Sequence, residues 1–266
     1  MQSPFRSDLL QGQTVLVTGG GTGIGRGIAL TAAAHGANVA IASRKPEHHG
    51  VVKEIEAMGR KAHAVACDVR NLDQVMAMAE EVETRVGPVD LLVNNAAGNF
   101  LAEFKDLSPN GWASVINIVL NGTFNVTKAV GQRMLERERG SIVNIVVSYA
   151  WGAAPYTSHS GAAKAGVLNL TRTLAIEWAP KVRVNAVAPG PVFTEGAFGN
   201  LAMAPELGER IIDGVPLKRL GTPEEIAQGV LFLHAHPYMT GECMTIDGGQ
   251  WLNHPMFKLP DSIGGP

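Results

Sequence analysis

The sequence predicts an α/β fold in which helices cover both faces of a doubly wound, parallel sheet of about seven strands. Short runs rich in Val, Ile and Ala alternate along the chain with longer segments of helical periodicity. The strand runs are apolar at successive positions, which is typical of parallel strands buried on both faces. No repeat or long polar linker interrupts the alternation, so we expect residues 1–266 to form a single domain.

The individual elements follow in order from the same pattern. Strands are expected at 14–18, 38–42, 61–66, 89–94, 141–147, 183–188 and 243–246. Helices are expected at 24–35, 47–58, 72–86, 112–135, 160–178 and 226–234. Right-handed crossovers between parallel strands then distribute these helices over both faces of the sheet.

Two of the helices carry additional sequence signals. The apolar residues of the third helix fall on one face, which we predict to be buried: Leu72, Val75, Met76, Ala79, Val82 and Val86. Asn71 followed by Gln74 offers a capping box at the start of this helix. Thr222, Pro223 and Glu225 offer the last helix an N-cap, a first-turn proline and a capping-box carboxylate.

Composition and charge exclude several classes of function. The chain has 22 Lys and Arg against 24 Asp and Glu, a net charge of −2 and a pI near 6.4, so we expect no nucleic-acid partner. Polar residues or glycine interrupt every apolar run before the ~18 residues of a membrane span. His234 and His236 do not share a helix face, so no metal site is expected. The two cysteines and the start of the chain predict a reducing, cytoplasmic location.

A glycine-rich loop follows the first strand and leads into the first helix. In such a loop the backbone amides approach a pyrophosphate closely, and the positive end of the helix helps to hold it. The residues expected to do so are Gly19, Gly21, Thr22, Gly23, Ile24 and Gly25. A strand and a helix flank the loop as this function requires, so we predict a Rossmann-like dinucleotide site.

The residues after the second strand indicate which of the two nicotinamide cofactors binds. NAD sites usually carry an acid there for the ribose 2′-hydroxyl, whereas this chain has Ser43, Arg44 and Lys45. A guanidinium and an ammonium can neutralise a 2′-phosphate, so we predict NADP(H). The alternative is that both cations are ordinary solvated surface charges.

Several motifs in register resemble the short-chain dehydrogenase/reductase family over essentially the whole chain. They are the glycine loop, Asp68, the Asn-Asn-Ala-Ala-Gly segment at 94–98 and the Pro-Gly-Pro segment at 189–191. The resemblance implies one Rossmann-like domain and a homotetramer. It also implies further cofactor contacts, at Asp68, Val69, Asn95, Ala96, Lys164, Pro189, Gly190, Val192 and Thr194.

The usual active site of that family is only partly present. Its tyrosine, four residues before Lys164, is replaced by Ser160. Its serine and asparagine positions fall on Val147 and Val119. A serine hydroxyl has too high a pKa to replace the tyrosine as acid or base, so simple alcohol oxidation is not expected.

A second tyrosine points to one branch of the family. Tyr149, at the end of the fifth strand, and the segments at 95–100, 118–123, 160–164 and 189–198 are similar to mitochondrial-type 2,4-dienoyl-CoA reductases. The similarity implies that Tyr149 donates the proton, that Asn99 is its hydrogen-bonding partner, and that Ser160 and Lys164 complete the site.

The same resemblance implies the substrate and the reaction. The substrate is an acyl-CoA thioester, and NADPH reduces the conjugated 2,4-dienoyl group to a 3-enoyl group. Arg70, Phe100 and Ser108 occupy positions that contact the acyl-CoA in this branch, and the segment at 194–215 is expected to form a lid. Asn200 replaces an arginine of the branch, so the acyl carrier and chain length stay open.

Other interpretations stay open on the sequence alone. Tyr156 is a rival proton donor, and Tyr149 can instead be an aromatic residue that packs on Trp151. His159 lines the cleft or has a structural role, and Asp247 is expected to accept hydrogen bonds from the backbone. The alternative functions are a carbonyl or 3-oxoacyl reductase with a relocated acid and a non-catalytic NADP-binding protein.

The cofactor prediction can be tested with steady-state kinetics. Because Arg44 and Lys45 can bind a 2′-phosphate, we expect the KM for NADPH to be lower than the KM for NADH. A preference for NADH would contradict the role assigned to these two residues.

Overall fold

The computed structural model describes residues 3–45, 50–194 and 205–253. Seven strands within these ranges form one parallel sheet in the order β3-β2-β1-β4-β5-β6-β7. The strands are β1 Thr14–Thr18, β2 Asn38–Ser43, β3 Ala62–Ala66, β4 Val89–Asn94, β5 Gly140–Ile145, β6 Val182–Pro189 and β7 Cys243–Ile246. The helices are α1 Gly23–Ala34, α2 Val51–Ala57, α3 Leu72–Arg85, α4 Pro109–Ile116, α5 Gly122–Glu136, α6 Ser158–Glu177, α7 Pro205–Gly214 and α8 Pro223–Ala235.

The sheet separates two hydrophobic cores. Because side chains alternate along a strand, Val15 and Val17 of β1 face one core while Leu16 faces the other. Ile28 of α1 and Ile226 of α8 belong to the first core. Burial on both faces therefore explains the unbroken apolar runs of the strands, and the predicted doubly wound fold is confirmed.

A third apolar cluster positions α6. Ala163 and Val167 of this helix pack with Val115 of α4 and with Val119. Val119 lies in a π-helical segment, Asn117–Asn121, which joins α4 to α5. The helix predicted at 112–135 is confirmed, since the chain is helical without a break from α4 to α5, but the sequence did not predict the π segment between them.

The start of α4 also differs from the prediction. The helix begins at Pro109 because the Ser108 hydroxyl accepts a hydrogen bond from the Gly111 amide at 3.0 Å. Ser108, which the resemblance assigned to acyl-CoA contact, thus has an N-cap role in this structure.

The buried face of α3 corrects two residues of the prediction, Leu72 and Met76. Met78 is 1% exposed, whereas Met76 and Leu72 are each 42% exposed. The helix is buried through Val75, Met78, Ala79 and Val82, the phase that the neighbouring sheet selects.

The two predicted capping boxes have different outcomes. The Asn71 side chain accepts from the Gln74 amide at 3.1 Å, but the Gln74 side chain accepts from the Asp68 amide at 2.9 Å, so this box is only half formed. The box of Thr222 and Glu225 is complete.

Part of the predicted lid lies outside the described residues. Helix α7 falls within the segment at 194–215, while residues 195–204 are not described. Among the helices of the described ranges, none has the length and apolar character to cross a bilayer.

The phase of α3 generates a stability prediction. Met78→Ala should lower the free energy of unfolding by about 2–5 kcal/mol, because it leaves a cavity in the core. Met76→Ala is the matched control and should change it by less than about 0.5 kcal/mol. Urea denaturation followed by circular dichroism measures both, and equal losses would contradict the assigned face.

Candidate active site

A cavity of about 930 Å³ opens at the carboxyl ends of β1 to β4, where the strand order reverses. Most of the predicted cofactor-binding residues line it: Gly19, Thr22, Gly23, Ile24, Ser43, Arg44, Lys45, Asp68, Val69, Asn95, Ala96 and Thr194. The others do not contribute to its wall: Gly21, Gly25, Lys164, Pro189, Gly190 and Val192. Asn99, predicted for catalysis, also lines the cavity.

The glycine loop has the geometry of a phosphate cradle. A Cβ added at Gly25 would lie 2.2 Å from the carbonyl oxygen of Gly19, so only glycine permits this close backbone approach. Thr22 is the N-cap residue of α1, but its side chain makes no capping hydrogen bond. The first-turn amides of α1 are thus left for another acceptor, and the loop fits a diphosphate.

The end of β4 is fastened to the end of β1 by two polar side chains. The Thr18 hydroxyl accepts from the amides of Asn95 and Ala96, each at 3.0 Å. The Asn95 side chain donates to the carbonyl oxygens of Thr18 and Gly19 at 3.0 and 3.2 Å. Asn95 therefore uses its amide to brace the glycine loop.

The side of the cavity near β2 carries Ser43 together with Arg44 and Lys45, the two residues predicted to bind a 2′-phosphate. The side chains of Arg44 and Lys45 are exposed, and the Ser43 hydroxyl is buried without a hydrogen-bond partner among the described residues. Leaving a buried hydroxyl unpaired costs about 1–3 kcal/mol, which a ligand acceptor would relieve. This set fits a phosphorylated ribose.

Arg70 and Asp68 form a pair beside this set. The Arg70 guanidinium donates to both carboxylate oxygens of Asp68, with a shortest distance of 2.5 Å. This pairing, with a smaller contribution from the charge of Arg44, lowers the pKa of Asp68. Arg70, which the resemblance assigned to acyl-CoA contact, is thus held by Asp68 in this structure.

Tyr149 lies in a short 3₁₀ turn, Ser148–Ala150, just after β5. Its hydroxyl is 3.2 Å from the hydroxyl of Ser160, which is buried in the first turn of α6. Asn99 is exposed at the cavity and forms no hydrogen bond with Tyr149 in the described part of the chain. The partner of Tyr149 in this structure is therefore Ser160, and Trp151 packs on Trp251 rather than on Tyr149.

Lys164 lies one helical turn after Ser160 and is 7% exposed. Its amine donates to the carbonyl oxygen of Ile145, at the end of β5, at 2.5 Å. Burial disfavours the charged amine and lowers the pKa of Lys164 from 10.5 to about 8. The amine is thus held at the strand end, close to its own titration point at physiological pH.

His159 and Tyr156 have different environments. His159 is fully buried, and neither ring nitrogen has a partner in hydrogen-bond geometry among the described residues. Burial lowers the pKa of His159, and the Phe100 ring contacts it edge-on with centroids 4.6 Å apart. The Tyr156 side chain is 52% exposed, and its residue has a left-handed φ of 64°.

Sequence analysis missed a buried polar chain behind the site. The Asn94 side chain donates to Asn144 and to Thr127, each at 2.8 Å, and Asn144 donates to Thr171 at 2.9 Å. This chain joins β4, β5, α5 and α6. Asparagines inside otherwise apolar strand runs were the available signal, because such residues are buried only with partners.

The comparisons with known proteins identify the family of this chain. The family model described as enoyl-(acyl carrier protein) reductase matches residues 19–250. A probable 2,4-dienoyl-CoA reductase of Bacillus subtilis, (2E)-enoyl-CoA-producing, is 42% identical and aligns over 92% of this chain and 98% of its own. A peroxisomal 2,4-dienoyl-CoA reductase of Danio rerio, (3E)-enoyl-CoA-producing, is 39% identical over 93% of this chain and 84% of its own.

Solved structures of dehydrogenases are also similar to this chain. A short chain dehydrogenase from Bacillus anthracis is 45% identical, with a TM-score of 0.79, over 90% of this chain and 96% of its own. This chain belongs to the short-chain dehydrogenase/reductase family. The structure of a gluconate 5-dehydrogenase from Burkholderia cenocepacia in complex with NADP and tartrate has a TM-score of 0.86 at 31% identity. The alignment covers 92% of this chain and 97% of that one.

Family membership makes the protein an oxidoreductase that uses a nicotinamide cofactor. The cavity beside the glycine loop is where the family fold binds that cofactor. Gly19, Thr22 and Asn95 line this cavity, and their contacts with the cofactor stay a prediction.

The buried amine of Lys164 generates a pH prediction. Between pH 8 and 10.5 the unfolded chain binds one more proton at this residue than the folded protein does, so stability rises with pH in that window. Below pH 8 both states hold the proton and the cost of burying the charge is fully present.

Lys164→Met removes this linkage. The free energy of unfolding of the wild type should therefore rise relative to that of the variant as the pH increases from 8 to 10. Urea titrations of the cofactor-free protein at several pH values measure the difference. Lys128→Met, at a side chain that stays in water, is the control for loss of a lysine. Parallel pH curves for wild type and Lys164→Met would contradict the prediction.

Proposed function

We propose that this protein is an NADPH-dependent reductase that converts a 2,4-dienoyl-CoA thioester to a 3-enoyl-CoA. The observation that carries the proposal is the pairing of Tyr149 with Ser160 beside the buried Lys164. Tyr149 and Ser160 stand in for the family tyrosine, which is absent four residues before Lys164. Relatives named 2,4-dienoyl-CoA reductase, at about 40% identity over most of the chain, support the same activity.

The cofactor choice rests on Ser43, Arg44 and Lys45. An unpartnered buried hydroxyl and two exposed cations suit a 2′-phosphate better than a bare 2′-hydroxyl. When bound, the reduced nicotinamide supplies the hydride. The chain's own part is to hold the diphosphate on the glycine loop and the first-turn amides of α1.

The reaction requires donors at the thioester oxygen. Addition of a hydride at C5 of the dienoyl group shifts the electrons toward C1 and produces a dienolate with its charge on that oxygen. Asn99, at the wall of the cavity, and the hydroxyl of Tyr149 are the proposed donors to this charge. Removing one such donor in other enzymes costs about 3–4 kcal/mol, so each is worth two to three orders of magnitude in rate.

Proton delivery decides the product. A proton added at C2 of the dienolate leaves a double bond between C3 and C4, whereas a proton added at C4 leaves it between C2 and C3. A group that donates to the thioester oxygen lies closer to C2 than to C4. Tyr149, or a water that it orients, is therefore proposed to protonate C2.

Ser160 and Lys164 prepare the phenol for this role. The Ser160 hydroxyl fixes the orientation of the Tyr149 hydroxyl at 3.2 Å. The amine of Lys164 would bind the ribose of the cofactor and, when protonated, would favour the phenolate electrostatically. Its pKa of about 8 lets the charge vary in the physiological range.

The three residues proposed to contact the acyl-CoA differ in how free their side chains are in the structure. Phe100 is 41% exposed and offers an apolar ring beside the cavity residue Asn99. Arg70 would share its guanidinium between Asp68 and a phosphate, while Ser108 would act from its N-cap position. The homotetramer and the cytoplasmic location stay predictions, and light scattering tests the first of them.

The proposed reaction has a defined product. With NADPH and 2,4-hexadienoyl-CoA in D₂O, we expect 3-hexenoyl-CoA that carries one deuterium at C2, as read by NMR. The relatives' own names divide on this point, since the Bacillus subtilis protein is named as a (2E)-enoyl-CoA producer and the Danio rerio protein as a (3E)-enoyl-CoA producer. Deuterium at C4 would overturn the assignment of C2.

The role of the phenol is tested in the same assay. Tyr149→Phe should lower kcat by about 10²- to 10⁴-fold because it removes the proton donor. Tyr156→Phe, at a half-exposed tyrosine, is the control and should leave kcat within about twofold. Loss of activity in the Tyr156 variant alone, or turnover of 3-oxoacyl-CoA without turnover of dienoyl-CoA, would contradict the proposal.

A further inference from the structure

The chain after β7 forms a tight turn that is fixed by one carboxylate. Asp247 accepts hydrogen bonds from the amide of Gly249 at 2.8 Å and from the amide of Trp251 at 2.7 Å. The second bond holds the first residues of the 3₁₀ turn Gln250–Leu252 in place. Asp247 thus satisfies backbone groups, as predicted, and the position of the Trp251 backbone is set by the end of the sheet.

The same turn is attached to the last residue of α7 and to the segment that follows it. The Asn253 side chain donates to the carbonyl oxygen of Gly214 at 2.9 Å, and the Leu217 amide donates to the carbonyl oxygen of Gly248 at 3.2 Å. These attachments do not involve the turn that carries Tyr149. The turn at 247–253 is therefore anchored independently of the proton donor.

Trp251 extends from this anchored turn to the loop that carries Tyr149. Its ring meets the Trp151 ring edge to face, with centroids 5.5 Å apart and an interplanar angle of 82°. Gly152 makes room for the contact, because a Cβ added there would lie 2.5 Å from the Trp251 ring. Trp251 therefore contacts Trp151 and Gly152, the two residues that directly follow the Ser148–Ala150 turn.

The Tyr149 turn has little backbone support of its own. Ala150 donates to the Val147 carbonyl oxygen at 3.0 Å, and Trp151 donates to the Ser148 carbonyl oxygen at a long 3.5 Å. A single 3₁₀ turn with one good hydrogen bond does not fix a side chain by itself. Three further contacts hold the turn: the Tyr149 hydroxyl with Ser160, Ala150 in the third apolar cluster with α6, and Trp151 with Trp251.

We propose that Trp251 is a positioning residue for Tyr149: through Trp151 and Gly152 it holds the turn so that the phenol meets Ser160. The role assigned to the phenol rests on the proposed function, whereas its placement by Trp251 does not. Misplacing a reacting group by about 1 Å costs on the order of 10²-fold in rate. The position of a tryptophan beyond the last strand thus controls proton transfer at the end of β5.

The placement is tested without any assay of activity. The chain has three tyrosines, so the protein labelled with 3-fluorotyrosine gives three ¹⁹F signals, which Tyr→Phe variants assign. Trp251→Leu and Gly152→Ala should shift or broaden the Tyr149 signal and leave those of Tyr156 and Tyr238 in place. Trp251→Phe is the mildest of the three changes because it keeps an aromatic ring. It should shift the Tyr149 signal less than Trp251→Leu does.

Kinetics test the consequence for catalysis. Trp251→Leu should lower kcat for dienoyl-CoA by about 10- to 100-fold, with the KM for NADPH within twofold of wild type. In the Tyr149→Phe background the same change should cause no further loss, because the positioned group is gone. Leu252→Ala, in the same turn at a side chain that is 77% exposed, is the matched control and should leave kcat unchanged.

Each negative result has its own meaning. An unchanged Tyr149 signal in Trp251→Leu and Gly152→Ala would overturn the positioning role, as would losses that multiply in the Tyr149→Phe background. An equal loss in Leu252→Ala would also overturn it, since it would indicate general damage to the turn. A moved Tyr149 signal in a protein that does not reduce dienoyl-CoA would instead support the positioning role and contradict the proposed function.

Discussion

The junction between β1 and β4 is the constraint on which the site depends. The chain order reverses there, so the connections that leave the two strand ends run apart and open a crevice. Thr18 and Asn95 fasten the two ends to one another and to the glycine loop with four hydrogen bonds. Without these hydrogen bonds, the distance across the cavity between the loop amides and the wall formed by residues 95–99 would not be fixed.

The chemistry of the site follows from what is buried around this crevice. Lys164 holds its amine against the carbonyl oxygen of Ile145, where burial brings its pKa to about 8. Ser160, one turn earlier on the same helix, meets the Tyr149 hydroxyl. A phenol, a hydroxyl and an amine thus converge from the end of β5 and the start of α6. In the proposed function, Tyr149 replaces the family tyrosine from a different element, the 3₁₀ turn after β5.

That rearrangement explains why the loop after β5 needs outside support. A tyrosine on a helix is oriented by the helix, whereas Tyr149 lies in one 3₁₀ turn with a single good backbone hydrogen bond. The aromatic contact with Trp251 links this turn to the end of the sheet through Asp247. In this proposal Ser160 and Trp251 act together to fix the position of the Tyr149 phenol.

The alternation of strands and helices, the glycine loop and the order of the motifs can all be predicted from the sequence alone, because each depends on local periodicity or on residues next to one another. Contacts between distant segments were decided only by the tertiary structure. Periodicity offered Met76 for the core, but the sheet selected Met78, and the partner of Tyr149 was Ser160 rather than Asn99. Helix phase against a sheet, and which hydroxyl lies within 3.2 Å of another, depend on how whole elements pack, which one-dimensional spacing does not encode.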